Sequence, residues 1–136
     1  MQWSGWGGSI AGSSGALTVQ TATQTELGGP GTGTNPEELL AAAHANCFTS
    51  TLTALARARG VALDEIQTRA TTRLEWRDSE ADHHLSASDL EIRIRSSSDE
   101  SRVRELVREA EQHCPVCRAI AGNVPMTVSL TTERSS

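Results

Sequence analysis

From Leu39 to Ala56 the chain reads LLAAAHANCFTSTLTALA, eighteen residues without an Asp, Glu, Lys or Arg. No other stretch limits the fold as strongly. An uncharged run of this length is either a helix inside a protein core or a membrane span. Its start has the marks of a helix N-terminus. Asn35 can cap, Pro36 suits the first helical position, and Glu38 stands three residues after Asn35 in a capping-box pattern. Glu37 and Glu38 also complement the positive end of the helix. Gly60 offers a stop after Arg59. His44, Asn46, Thr49, Ser50, Thr51 and Thr53 make a bilayer a poor home for it, and the mean hydropathy of the chain is negative, −0.35. The run is therefore read as a central helix, apolar all round and buried. Its alanines permit close approach of a neighbouring helix or sheet.

At 136 residues the chain suits one domain, 1–136. The elements around the helix follow from periodicity. GALTVQTA (15–22) contains a strand with Leu17 and Val19 on one face. The run LGGPGTGT (27–34) is a connecting or functional loop. Residues 66–76 and 83–95 form a hairpin around the polar DSEADH turn, with Leu90, Ile92 and Ile94 on one face. Residues 99–113 make an amphipathic helix through Val103, Leu106, Val107 and Ala110. Pro115 opens a short second helix with Cys114 near its N-cap, and Gly122 ends it. Met126, Val128 and Leu130 alternate in a last strand. The order ββ-α-ββ-α-β points to an α+β fold with antiparallel strands.

Charge narrows the function. The net charge is −5 with no Arg-and-aromatic stretch, so nucleic-acid binding is not expected. All twelve basic residues are Arg, which excludes lysine chemistry. The first residues, MQWSGWGGSIAG, have neither a basic nor an apolar signal-peptide region, so the reducing cytoplasm is the expected compartment. Three cysteines in that setting do not suggest structural disulfides.

Each cysteine has an ordinary reading and a chemical one. Cys47 on an apolar helix can be a small packing residue. Cys114 at a helix start lies where free N–H groups favour a thiolate. Cys114 and Cys117 spell CPVC, but a thioredoxin-like motif should follow a core strand, and this one follows a charged helix. His113, Cys114 and Cys117, with Cys47 and His44, could supply metal ligands, although a structural zinc site commonly uses two ligand pairs. His83 and His84 read as solvated residues beside a polar turn.

Taken together, NPEELLAAAHANCF and HCPVCRAIAGN resemble the OsmC/Ohr family, the osmotically induced protein C and organic hydroperoxide resistance proteins. TELGGPGTGTNPEELL looks like the Ohr branch; AAAHANCF and CPVxxAIAG look closer to OsmC. The resemblance covers almost the whole chain. It implies an OsmC-like fold of antiparallel sheets packed on a long central helix, in an intertwined homodimer. It further implies a thiol peroxidase for organic hydroperoxides, with no bound cofactor or metal and no membrane or nucleic-acid partner. External dithiols, notably lipoyl-bearing proteins, would recycle it. In that likeness Cys47 matches the peroxidatic cysteine and Cys114 the resolving one. Glu37 matches a glutamate that pairs with an arginine over the thiolate.

This chain departs from that pattern twice. No Arg precedes Arg57. Aligning SGWGGS (4–9) with the Ohr pattern puts Trp6 at the arginine position, and an OsmC-style alignment puts that position near Leu27. Arg73, Arg77 or Arg118 would have to serve, or activity weakens. Cys117 also stands where a small residue is usual; it could act as a second resolving thiol or pair with Cys114.

Helix geometry adds a constraint. Ten residues place Glu37 and Cys47 about 15 Å apart along a straight helix and about 80° apart around it. To share a site, one must come from a second subunit, or the helix must break. A two-fold dimer satisfies the first option for both sites at once. His44 is one turn from Cys47 and is read as a neighbouring support rather than a base. The competing functions are a non-enzymatic ligand- or metal-binding protein on the same fold, marked by the missing arginine, and a CPVC disulfide reductase.

Overall fold

The computed structural model describes residues 2–4, 7–77 and 82–136. The chain divides into two compact units, Met1–Leu39 and Leu40–Ser136. Trp6 and most of the DSEADH turn lie outside the described residues.

The first unit is a small antiparallel sheet. β1 (Gln2–Ser4), β2 (Gly7–Ala11) and β3 (Thr18–Ala22) pair in chain order. Ile10 lies opposite Val19 in the register. β3 begins at Thr18, one residue after the expected Leu17, which lies outside the strand and is 47% exposed. A single 3₁₀ turn (Thr25–Leu27) leads into the glycine-rich loop. Close packing explains part of that glycine content. A Cβ at Gly29 would fall 2.2 Å from the Thr23 carbonyl oxygen, nearer than real contacts allow. Asn35 then caps as expected: its Oδ1 accepts from the Glu38 N–H at 2.8 Å. The Glu38 carboxylate does not complete a reciprocal box here. It accepts the hydroxyl of Thr34.

The central helix α1 runs unbroken from Pro36 to Arg59 and stops at Gly60, whose φ of 64° suits glycine. In the second unit β4 (Glu65–Trp76) and β5 (His83–Ser96) form the hairpin, with a bulge between Arg73 and Leu74. Alternation sends Ser88, Leu90, Ile92, Ile94 and Ser96 to the buried face of β5. α2 (Glu100–His113) buries Val103, Leu106, Val107 and Ala110, the stripe its spacing predicts. α3 (Pro115–Ile120) follows at once, and β6 (Met126–Arg134) closes the sheet.

Two expectations need correction. β6 pairs with β5 in parallel, Leu90 beside Val128, so this sheet is mixed rather than antiparallel. α2 and α3 form a crossover that returns the chain to the starting end of β5, and a returning strand then runs the same way. The other concerns α1, which is not buried all round. Ala41, His44, Phe48, Leu52 and Ala56 are buried, a stripe of i, i+3 and i+4 steps. Ala42, Ala43, Asn46, Ser50 and Ala54 are exposed. Such small and polar side chains tolerate water on that face. The threonines satisfy themselves: the hydroxyls of Thr49, Thr51 and Thr53 donate to the carbonyls of Ala45, Cys47 and Thr49.

By length and composition α1 could cross a bilayer. Its buried stripe instead joins a packed core. Phe48, Leu52 and Ala56 belong to one cluster with Leu90, Ile92, Ile94, Val103, Leu106 and Ala110. The end of the helix is held to α2 by an Arg59–Glu109 ion pair and by Arg102, which donates to the Arg59 carbonyl at 2.9 Å.

Candidate active site

The site grows from two turns of backbone. The first is the junction of α2 and α3, where Cys114 ends one helix and caps the next. Pro115 cannot donate an N–H, so it ends α2 and suits the first position of α3. Cys114 Sγ accepts the N–H of Cys117 at 3.3 Å, the N-cap bond that Ser or Asp would ordinarily make. Both sulfurs are buried, Cys114 at 0% exposure and Cys117 at 3%.

The second is the middle of α1. One helical turn separates His44 from Cys47, but they differ in environment. His44 is fully buried. Cys47 is half-buried and packs against the edge of the apolar cluster that holds Cys114 and Cys117. Of the three thiols, Cys47 alone is open to solvent.

His44 joins the two turns. Its Nε2 lies 3.3 Å from Cys117 Sγ, and its Nδ1 lies 2.7 Å from Ser88 Oγ on β5. Ser88 is also fully buried. The result is an interior chain from Ser88 through His44 and Cys117 to Cys114. Burial lowers the His44 pKa, which favours neutral imidazole. Burial also pushes the Cys117 thiol far up. The hydrogen bond with Cys114 and the negative charge of Cys114, Cys47 and Glu111 add to that rise.

The expected site residues thus divide. Cys114, Cys117 and His44 meet, with Cys47 at their edge. Glu37 is half-buried and accepts from the Gln24 side-chain amide at 2.7 Å, so one of its partners is a neutral donor. Arg73 faces Asp89 at 3.6 Å on an exposed surface, and Arg77 and Arg118 are exposed. His113 is exposed, and among the described residues no group of three or more His, Cys, Asp or Glu could hold a metal. His83 is exposed and stacks near Trp76, ring centroids 5.2 Å apart. His84 is half-buried rather than solvated, and its Nδ1 is buried without a hydrogen bond.

Ser88 and Gln24 are the participants that sequence reasoning passed over. Ser88 had a signal: carrying the Leu90, Ile92, Ile94 alternation back one step puts a polar residue on the core face. Gln24 had none, because its role depends on how the loop folds.

A mixed-sheet α+β fold with a long thiol-bearing helix and a CxxC turn defines a thiol-centred domain of a recognised kind. Residues 29–129 match the family model for OsmC-like proteins, and the chain belongs to the OsmC family. It is 32% identical over 120 residues to the organic hydroperoxide resistance protein of Xanthomonas axonopodis pv. citri, covering 85% of this chain and 80% of that one. The fold is similar to the organic hydroperoxide resistance protein OsmC of Legionella pneumophila, with TM-score 0.84, 30% identity and coverage of 95% and 92%. It is also similar to the organic hydroperoxide resistance protein OhrB of Bacillus subtilis, with TM-score 0.76, 27% identity and coverage of 95% and 93%.

Proposed function

We propose that this protein is a cysteine-based peroxidase for organic hydroperoxides. The observation that carries the reading is the division of labour among the thiols. Cys47 is the one open to solvent, and it borders a buried cluster that holds Cys114. A peroxidase of this type needs one thiol that a substrate can reach and a second held back from it.

The chemistry runs in two steps. The Cys47 thiolate attacks the terminal peroxide oxygen; an S–O bond forms, the O–O bond breaks, and the alcohol leaves after taking a proton. Cys47 is then a sulfenic acid. Cys114 attacks that sulfur; an S–S bond forms, the S–O bond breaks, and water leaves. An external dithiol, such as a lipoyl-bearing protein, reduces the Cys47–Cys114 disulfide by exchange. Cys47 packs against an apolar cluster, which supports alkyl over hydrogen peroxide, because burying the alkyl tail is favourable.

In this reading the protein is a homodimer, and Glu37 of one subunit serves Cys47 of the other. The relatives named for organic hydroperoxide resistance support the substrate class. The test is consumption of cumene hydroperoxide with dihydrolipoamide as reductant. Turnover should be lost in Cys47→Ser. Equal consumption by the wild type and that variant removes the proposal.

A further inference from the structure

The two-cysteine scheme leaves Cys117, His44 and Ser88 without work. Packing explains why they are buried. It does not explain why the Cys117 sulfur meets an imidazole nitrogen at 3.3 Å while the Cys117 N–H reaches the Cys114 sulfur. We propose that Cys117 is a third redox thiol, which takes the disulfide over from Cys47–Cys114 by exchange, with His44 Nε2 accepting its proton. The inference rests on the peroxidase reading above and extends it.

Geometry supplies the attack. Cys114 and Cys117 sit at the cap and third position of α3, close enough for the Cys117 N–H to reach Cys114 Sγ at 3.3 Å. His44 supplies the proton acceptor at 3.3 Å. Its tautomer follows from its two neighbours. A hydroxyl oxygen accepts an N–H better than a thiol sulfur does, so Nδ1–H donates to Ser88 Oγ and the Nε2 lone pair faces the Cys117 S–H. A nucleophile, a base and a group that orients the base then lie in sequence.

The order of events follows from access. In the reduced protein, burial keeps Cys117 protonated and away from solvent, so it does not compete with Cys47 for peroxide. Joining Cys47 to Cys114 makes Cys114 an electrophilic sulfur beside Cys117. The Cys117 S–H is then surrendered to His44. The Cys117 sulfur attacks Cys114. The Cys114–Cys117 bond forms, the Cys47–Cys114 bond breaks, and Cys47 leaves as a thiolate that takes back the proton. No outside oxidant or reductant enters. Cys47 is again ready for peroxide, while the oxidised pair is stored in the interior.

The experiment adds tert-butyl hydroperoxide to fully reduced protein without reductant, quenches with an alkylating agent over time, and maps disulfides by peptide mass spectrometry. The Cys47–Cys114 peptide should rise first and give way to Cys114–Cys117 with Cys47 alkylated. Each chain should then consume about two equivalents of peroxide, against about one in Cys117→Ser or Cys117→Ala. In His44→Asn the handover should slow about 100-fold relative to the first step of the same variant. Peroxide consumption that ends at Cys47–Cys114 in the wild type overturns the relay alone. No consumption above the Cys47→Ser control overturns the relay and the peroxidase reading together. An unslowed handover in His44→Asn overturns the role of His44.

Discussion

His44 holds two hydrogen bonds where water does not reach, and that has a thermodynamic consequence apart from chemistry. Burial sets its folded pKa below the ordinary value of 6.5. As pH falls, the unfolded chain therefore binds the proton first. Folding is favoured above about pH 6.5, and stability is lost progressively below it. For one proton the loss cannot exceed about 1.4 kcal/mol per pH unit. Urea unfolding between pH 7.5 and 5.5 should show this decline, and His44→Asn should flatten it. The same slope in the variant would move the effect to another group. A neutral imidazole is also what the relay requires, because a protonated ring has no lone pair for the Cys117 proton.

Within α1 the exposed and buried faces should respond very differently to substitution. Leu52 is fully buried in the core shared with β5 and α2. Leu52→Ala should cost about 2–5 kcal/mol through lost burial and a residual cavity. Ser50, two positions earlier and exposed, should change stability by less than about 0.5 kcal/mol when replaced by Ala. Chemical denaturation of both variants reads the contrast. Similar losses at both positions would mean that the exposed face is packed in solution.

The helices were legible at this scale. Asn35, Pro36, Gly60, Pro115 and the 103–110 stripe are local signals that set local geometry. The hairpin was legible through its alternation, and Cys47 and Cys114 through their two motifs. The parallel course of β6 was not, because Met126, Val128 and Leu130 alternate equally well in either direction. The exposed face of α1 was missed for a related reason: alanine and threonine are compatible with burial and with water. The Ser88–His44–Cys117 chain joins three elements far apart in sequence, so no periodicity within one of them announces it.

For the whole molecule, the main consequence follows from α1 being unbroken from Pro36 to Arg59: ten residues of ideal helix rise about 15 Å, too far for Glu37 and Cys47 of one chain to serve one reaction. If one reaction needs both, two chains must share each site. Mixing damaged subunits tests this directly. Glu37→Gln carries an intact Cys47, and Cys47→Ser carries an intact Glu37. In a mixed dimer built across the two-fold, one site receives both wild-type residues and the other receives neither. Random reassociation of equal amounts makes about half of the dimers mixed, and half of their sites intact, so about a quarter of wild-type turnover should return. If both residues served their own chain, no site would be whole, and mixing would give only the average of the two parents. The assay is peroxide consumption after joint refolding, with the parents refolded separately as the baseline. Recovery above that baseline requires a dimer and assigns Glu37 to the partner's cysteine in one measurement.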